Sequence, residues 1–121
     1  MILPESTIWI AHLRKPMADL SEMLDQDQVI GHPFVTGEVA LGSIANRVRV
    51  LDRLDNLPQL PVAEPDFVAL MIESLGLWGK GVGYVDTHLL ASLRLAGSAK
   101  LWTLDKRLHA QAERLGVAYI P

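Results

Sequence analysis

The sequence predicts an α/β fold in which helices cover both faces of a central, mainly parallel β-sheet. Short apolar runs that fit strands alternate with stretches in which apolar residues recur every three or four positions, as they do on one face of a helix. Prolines and glycines mark the ends of most of these stretches. Strands that alternate with helices are typical of parallel sheets with right-handed crossovers, so we expect a three-layer α/β/α sandwich.

The N-terminal part opens with a short strand at residues 1–3, followed by a helix for which Ser6 or Thr7 is the predicted cap. That helix is expected to end before Pro16, because a proline disfavours helical backbone at the residue preceding it. Three apolar residues at helical spacing then indicate a second helix: Leu20, Met23 and Leu24. The apolar pair at residues 29–30 predicts another short strand.

Three more helices are predicted before the glycine-rich loop. The first is expected to start near Thr36. The second is strongly charged, and its apolar stripe consists of Val48, Leu51 and Leu54. Pro65 fits the first position of the third helix and Gly76 fits its C-terminal cap. The inward face of this third helix is predicted to contain Phe67, Met71 and Leu75.

The last third of the chain repeats the alternation. A helix over residues 84–96 has a predicted apolar face of four residues: Val85, Leu89, Leu93 and Ala96. A strand follows at residues 101–103. Asp105 then opens a helix that Gly116 ends, and residues 117–120 form a last short strand.

The composition narrows the class of protein. A chain of 121 residues, half of them hydrophobic, fits one domain spanning residues 1–121. The absence of cysteine excludes disulfides, thiolate metal sites and thiol nucleophiles, and it fits a cytoplasmic protein. We expect neither a signal peptide nor a membrane span, because no suitable apolar run is present. The net charge of −3 argues against a globally basic surface, so nucleic-acid binding would need a local site.

Four acidic residues lie where predicted strands pass into helices: Glu5, Glu38, Asp86 and Asp105. In open α/β sheets ligands bind outside the carboxyl ends of the strands, so we expect these four to share one pocket. Crowded carboxylates repel one another unless a cation compensates their charge. Mg²⁺ suits such a pocket, because it takes oxygen ligands and retains waters that it can activate for phosphodiester cleavage.

Each acid also has a structural interpretation when it is considered alone. Asp105 can cap its helix, and Asp86 and Glu38 can favour the positive end of theirs. Glu5 can be a solvated turn residue. The joint placement of the four acids is what favours a metal site.

Other catalytic patterns are not found. The loop GVGYVD at residues 81–86 differs from a dinucleotide fingerprint, because no strand runs into it and its sixth residue is aspartate. Its glycines are expected to let the backbone approach the acidic pocket. Four histidines lack metal-ligand spacing and are expected to be structural or on the surface: His12, His32, His88 and His109. The tryptophans are expected in the core, with Trp78 as the candidate for exposure.

Six segments occur in a characteristic order: MIL at 1–3, STIWI at 6–10, HPFV at 32–35, GEVALG at 37–42, GVGYVDTHLLAS at 81–92 and LWTLDKRL at 101–108. Each is a weak motif alone. Together they cover essentially the whole chain and resemble the VapC-type toxins of the PIN-domain superfamily. The resemblance implies a PIN fold, an endoribonuclease that depends on Mg²⁺ or Mn²⁺, and neutralisation by a small cognate antitoxin.

The resemblance places the second, third and fourth acids of the family's site on Glu38, Asp86 and Asp105. At the first position the family has aspartate, whereas this chain has Glu5 after Pro4. The additional methylene displaces the carboxylate by about 1.5 Å, so imperfect metal geometry is expected and Glu5→Asp is expected to increase RNA cleavage. Thr7 and Thr103 are close enough in sequence to these acids to orient a water or a carboxylate, but as helix-cap and β-strand residues we interpret both as structural.

The resulting hypothesis is attack of a metal-activated water on an RNA phosphodiester, with Glu5, Asp86 and Asp105 near the metal. Glu38 would hold the metal or the water. Four cations are candidate phosphate contacts, although ordinary solvated charge is the simpler interpretation of each: Arg47, Lys80, Lys106 and Arg107. Single-stranded or looped RNA is the expected substrate, because A-form grooves offer side chains little sequence to read. A homodimer is also expected, because the apolar N-terminal helices need a partner.

Two other classes of protein stay open. One is a PIN module with weakened or lost catalysis, which would act by binding a partner or RNA. Glu5, in place of the family's aspartate, would then indicate the loss of activity. Metal-dependent cleavage separates this alternative from the enzyme. The other is a magnesium-dependent phosphotransfer domain, which also gathers acids at strand ends. The lack of paired acids after the first strand argues against it.

Overall fold

Seven α-helices and two paired β-strands make up the regular structure, which a computed structural model describes over residues 1–121. In chain order they are β1 (Ile2–Pro4), α1 (Ser6–Arg14), α2 (Ala18–Asp25), α3 (Pro33–Ala40), α4 (Arg47–Asp55), α5 (Pro65–Leu75), α6 (Tyr84–Ala96), β2 (Lys100–Trp102) and α7 (Lys106–Arg114). The predicted mixture of helices with a parallel sheet is confirmed. None of the helices has the length and apolar character needed to cross a bilayer.

The sheet is built around β1 and β2, which run parallel with Leu3 opposite Leu101. Single parallel bridges continue this pairing on both sides, between Ile2 and Val29 and between Leu101 and Ala118. A third bridge joins the segment at residues 29–31 to Gln59. Five chain segments therefore lie side by side. Their order is Gln59, residues 29–31, β1, β2 and Ala118. The predicted strands at residues 29–30 and 117–120 are present only as these bridges, because each segment makes too few contacts for a longer ladder.

The core lies on the two central strands and around α6. Leu3 and Leu101 are fully buried, and every residue of α6 from 87 to 93 is buried as well. A helix that is buried around its whole circumference belongs inside the molecule. Ala96, which was predicted to face inward, is exposed because α6 ends there and Gly97 adopts left-handed backbone with φ of 74°.

Two helix starts differ from the prediction. Glu5, instead of Ser6 or Thr7, is the N-cap residue of α1. The helix α3 begins at Pro33 and not near Thr36, because proline suits the first helical position and the ring of His32 accepts a hydrogen bond from the backbone of the second.

The apolar stripe of α4 is also narrower than predicted. Leu54 is buried and Leu51 is half-buried, whereas Val48 is 85% exposed. Val48 lies in the first turn of α4, just beyond the loop that connects α4 to α3. The buried part of the stripe is therefore confined to the C-terminal half of the helix.

Candidate active site

The parallel pairing of β1 with β2 brings two segments to the same edge of the sheet. Glu5 follows β1 directly, and its backbone N–H continues the ladder by donating to the carbonyl of Trp102 at 2.8 Å. Thr103 follows β2 directly. Because parallel strands end at the same edge, Glu5 and Thr103 are neighbours although 98 positions separate them in sequence.

Three of the four predicted acids meet at this edge: Glu5, Glu38 and Asp86. One carboxylate oxygen from each lies within 4.8 Å of the other two. Each acid comes from a different part of the fold, since Glu5 is at the N-cap position of α1, Glu38 lies on α3 and Asp86 lies in the first turn of α6. The convergence that the sequence predicted is therefore present for these three residues.

Glu5 is 4% exposed, and its carboxylate accepts hydrogen bonds from three hydroxyl groups. Thr7 and Thr103 each donate to Oε1 at 2.6 Å, and Ser6 donates to Oε2 at 2.7 Å. We call Ser6, Thr7 and Thr103 the hydroxyl seat. Sequence reasoning interpreted the two threonines as structural and gave Ser6 only a capping role, although a run of hydroxyl residues directly after an acid was a usable signal.

The two threonines of the seat are themselves held by the backbone that follows β2. The hydroxyl of Thr7 accepts from the N–H of Leu104 at 3.0 Å, and the hydroxyl of Thr103 accepts from the N–H of Asp105 at 3.0 Å. Each threonine hydroxyl thus accepts from one amide and donates to Glu5. The start of α1 and the segment after β2 are joined through this network.

Glu38 is the least satisfied acid of the three. Its Oε1 atom is buried and has no hydrogen-bond partner. Partial burial raises the pKa of Glu38, and the negative charges of Asp86 and Glu5 raise it further. The nearby hydroxyl of Ser6 lowers the pKa of Glu38 only in part.

The pKa of Asp86 is also raised, first by burial and then by the charge of Glu5. The backbone N–H of Gly83 lowers it in part. Gly83 is the N-cap residue of α6, so Asp86 reaches back over the first turn toward the positive end of its helix. Asp86 therefore interacts favourably with the positive end of its helix, as its structural interpretation proposed, and it also belongs to the acidic cluster.

Asp105 lies outside the group of three. It is the N-cap residue of α7, where its Oδ1 accepts hydrogen bonds from the backbone N–H groups of Arg107 and Leu108 at 2.9 and 3.1 Å. Its charge nevertheless contributes to the raised pKa of Asp86. Asp105 is thus close enough to act on the cluster electrostatically, while one of its oxygens is committed to the helix cap.

The four candidate phosphate contacts are all exposed, and none forms an ion pair with an acid. Arg107 packs its side chain against the glycine-rich loop, where a Cβ at Gly81 would lie 2.5 Å from the arginine Cδ. Lys80 belongs to the same loop and Lys106 begins α7. Arg47 lies instead at the start of α4, where it donates to the carbonyl of Gly42 at 3.4 Å. The glycine loop therefore accommodates a cation, which the sequence did not predict.

His32 and His109 lie in the buried and surface positions that the prediction allowed. His32 is fully buried, and its Nε2 lies 2.9 Å from the hydroxyl of Ser92, which donates to the carbonyl of Pro61. Burial, with the neighbouring His88, lowers the pKa of His32 to about 4. His109 pairs on the surface with Glu113 at 2.8 Å. Trp9 and Trp102 are buried as expected, whereas Trp78 is 64% exposed.

The donor set suits a divalent cation. Three carboxylates converge without any cationic partner, and a buried oxygen of Glu38 is left unpaired. Among three ligands of octahedral Mg²⁺, at most one pair is opposite, about 4.2 Å apart, and the other pairs are adjacent, about 3.0 Å apart. Oxygens up to 4.8 Å apart would therefore approach by up to about 1.8 Å to share one ion, which requires the acidic side chains to rotate toward it.

No protein-family model matches the chain. Among curated proteins it is similar to "Ribonuclease VapC32" of Mycobacterium tuberculosis strain CDC 1551 / Oshkosh, with 49% identity over 118 residues. The alignment covers 98% of this chain and 95% of the relative. The protein of the same name in strain H37Rv gives the same values. Identity at this level over nearly the full length of both proteins shows that the chain belongs to the VapC toxin family of PIN-domain ribonucleases.

Proposed function

We propose that this protein is the toxin of a toxin–antitoxin pair and acts as an endoribonuclease that depends on Mg²⁺ or Mn²⁺. The observation that carries the proposal is the meeting of Glu5, Glu38 and Asp86 with no cationic side chain to compensate them. The raised pKa of both Glu38 and Asp86 supports it, because burial and then the neighbouring carboxylates disfavour their ionised forms, which a divalent cation would stabilise. The name of the relative supplies the substrate class, RNA.

Glu5, Glu38 and Asp86 would hold the cation, and Asp105 would contribute negative charge from the end of β2. Bound there, the cation would supply the Lewis acidity that makes water a nucleophile toward the phosphodiester and that offsets charge on the departing oxygen. Glu5 presents its carboxylate from a fixed position, because the hydroxyl seat holds it. Glu38, with an unpaired oxygen, is the residue placed to orient a water or accept its proton.

Phosphate binding is assigned in this proposal to the cations beside the glycine loop. Arg107 rests on Gly81, and Lys80 and Lys106 flank it in the loop and at the start of α7. Arginine binds phosphate oxygens in a bidentate manner, which suits a role in holding the RNA backbone. Arg47 lies on a different element, so we give it a weaker role in the same function.

The remaining parts of the proposal concern architecture and partners. One continuous core supports a single PIN domain over residues 1–121 with a three-layer arrangement. The expected substrate is single-stranded or looped RNA. A small cognate antitoxin and a second copy of the chain are the expected protein partners, and the cytoplasm is the expected location.

A cleavage assay on a defined single-stranded RNA tests the function. The purified chain should cleave with Mg²⁺ or Mn²⁺ and stop when EDTA is added. Asp86→Asn removes a charged ligand and should lower the rate by at least about 100-fold. Asp66→Asn is the matched control, because Asp66 also lies in the first turn of a helix but is exposed on α5.

Two results would contradict the proposal. Cleavage that survives EDTA, or that is unchanged in Asp86→Asn, would exclude the metal-dependent mechanism at this site. RNA binding without any cleavage by the native chain would favour the catalytically silent PIN module instead. The geometry does not favour that module, because Glu5 is held inside the acidic group and not turned away from it.

A further inference from the structure

We propose that the hydroxyl seat is built for glutamate, so that Glu5 is a fitted ligand and the site would be weakened by aspartate. Ser6, Thr7 and Thr103 act as positioning residues that work through Glu5. This inference rests on the proposed metal-dependent function. It also reverses the expectation from the sequence that Glu5→Asp would increase cleavage.

The direction of each hydrogen bond in the seat is fixed by the neighbouring backbone. Leu104 and Asp105 donate their N–H groups to Thr7 and Thr103, so each threonine oxygen is already an acceptor. The two threonine oxygens lie 3.4 Å apart, a poorer contact than the 2.6 Å that separates each from Glu5. The hydroxyl protons of both threonines therefore point at Oε1 of Glu5.

This arrangement leaves one oxygen of Glu5 for a cation. A carboxylate oxygen has two lone-pair sites, and both sites of Oε1 are taken by the threonines. Oε2 accepts only from Ser6 and keeps one site. Oε2 is therefore the oxygen of Glu5 that is available to a cation. Glu5 is accordingly a monodentate ligand through Oε2, held in place through Oε1.

The length of the side chain is what fits it to the seat. Removing one methylene retracts the carboxylate by about 1.5 Å, which turns contacts of 2.6 Å into separations beyond hydrogen-bond distance. Thr103 is 8% exposed and its hydrogen bond to Glu5 is buried, whereas Thr7 is half-buried. Water has little room to replace the lost partner at Thr103, whose hydroxyl would be left without an acceptor.

Mn²⁺ binding to the full-length chain, measured by isothermal titration calorimetry without RNA, tests the fit. Removing a partner that orients a ligand typically weakens metal binding by about 10–100-fold. We expect a loss of this size for Glu5→Asp and for Thr103→Val, whereas Thr103→Ser keeps the hydroxyl and should bind Mn²⁺ within about threefold of the native chain. Glu5→Asp that binds Mn²⁺ as tightly as the native chain, or more tightly, would overturn the inference.

Thermal melting in EDTA tests the seat without metal. Glu5→Asp already breaks the contact with Thr103. The melting temperature of the double variant Glu5→Asp, Thr103→Val should therefore fall by less than the sum of the decreases in the two single variants. Decreases in melting temperature that simply add up would overturn the inference that Thr103 holds Glu5. A native chain that binds no Mn²⁺ would overturn the proposed function, and the melting cycle would still decide whether the seat requires glutamate.

Discussion

Ionisation of Glu38 and Asp86 is unfavourable when no cation is bound to the protein. Each is partly buried and each faces other carboxylates, which raises the pKa of both above their usual values. A carboxyl group with a raised pKa in the folded state favours folding while it is protonated and opposes it once it is ionised. The acidic site therefore lowers the stability of the protein near neutral pH unless a cation is bound.

Glu38→Gln should make this cost visible in thermal melting experiments with EDTA. The stabilising effect of protonated Glu38 is fully present below its ordinary pKa of 4.5 and is lost as the pH rises through the raised value. At pH 7.5 the variant should therefore melt about 3 °C above the native chain, and at pH 4 the difference should disappear. Glu73→Gln, on the exposed side of α5, is the control and should show neither effect. A lower melting temperature for Glu38→Gln at pH 7.5 would contradict the assigned repulsion.

At the scale of elements, the glycine-rich loop and α7 form one unit beside the acidic site. Gly81 has a φ of 79°, which favours glycine, and the side chain of Arg107 occupies the space where a Cβ would lie. Gly83 at the end of the same loop caps α6 and lowers the pKa of Asp86 in part. Gly81 therefore leaves room for the cationic side chain of Arg107, and Gly83 lowers the pKa of Asp86 in part.

Gly81→Ala should displace Arg107 and weaken RNA binding. The new Cβ would lie 2.5 Å from Cδ of the arginine, so the side chain has to move. Gly79→Ala is a matched control, because Gly79 also has positive φ, at 69°, but nothing lies within 4 Å of its added Cβ. Both variants carry similar backbone strain, and only the first disturbs Arg107. In EDTA, which prevents cleavage, Gly81→Ala should weaken RNA binding by about tenfold. The slope of the logarithm of the binding constant against the logarithm of the salt concentration should become less steep by the equivalent of about one phosphate contact. Equal affinities for the two alanine variants would contradict the role given to Arg107.

The order of elements was predictable because its signals are local. Pro65 and Gly76 act on the backbone of their own turn, and α5 begins and ends where they predict. The start of α3 was misplaced although Pro33 is a local signal of the same kind as Pro65, and the ring of His32 that supports this start is held by Ser92 of α6. A role for Thr103 in orienting a carboxylate was considered but not favoured, since local sequence does not show that it reaches Glu5 across 98 positions. Sequence therefore predicted that Glu5, Glu38 and Asp86 meet, although it also included Asp105, and tertiary contacts determine how these acids are held.

At the scale of the whole molecule, the structure leaves large apolar side chains on its surface. Leu41 directly follows α3 and Val48 lies on α4, and Leu70 and Leu95 lie on the neighbouring helices α5 and α6. Exposed apolar surface grouped on adjacent helices is typical of protein–protein contacts. The sequence analysis expected the apolar partner surface on the N-terminal helices, whereas these more exposed side chains lie elsewhere. We therefore assign the expected second copy to α5 and α6, which pack against each other.

Leu70→Glu should convert the expected homodimer into a monomer. Leu70 is 67% exposed and borders a cavity of about 120 Å³ between α5 and α6, so a charge there costs the single chain little. In a twofold dimer the new charge appears on both copies, and facing like charges cost several kcal/mol, which weakens association by at least about 100-fold. Light scattering across micromolar concentrations should give the native chain twice the 13.3 kDa of one copy and give the variant the mass of one. Leu41→Glu, at a leucine that is 89% exposed after α3, is the control and should stay dimeric. A native chain that remains monomeric would contradict the dimer, and dissociation by Leu41→Glu alone would move the interface from α5 and α6 to α3.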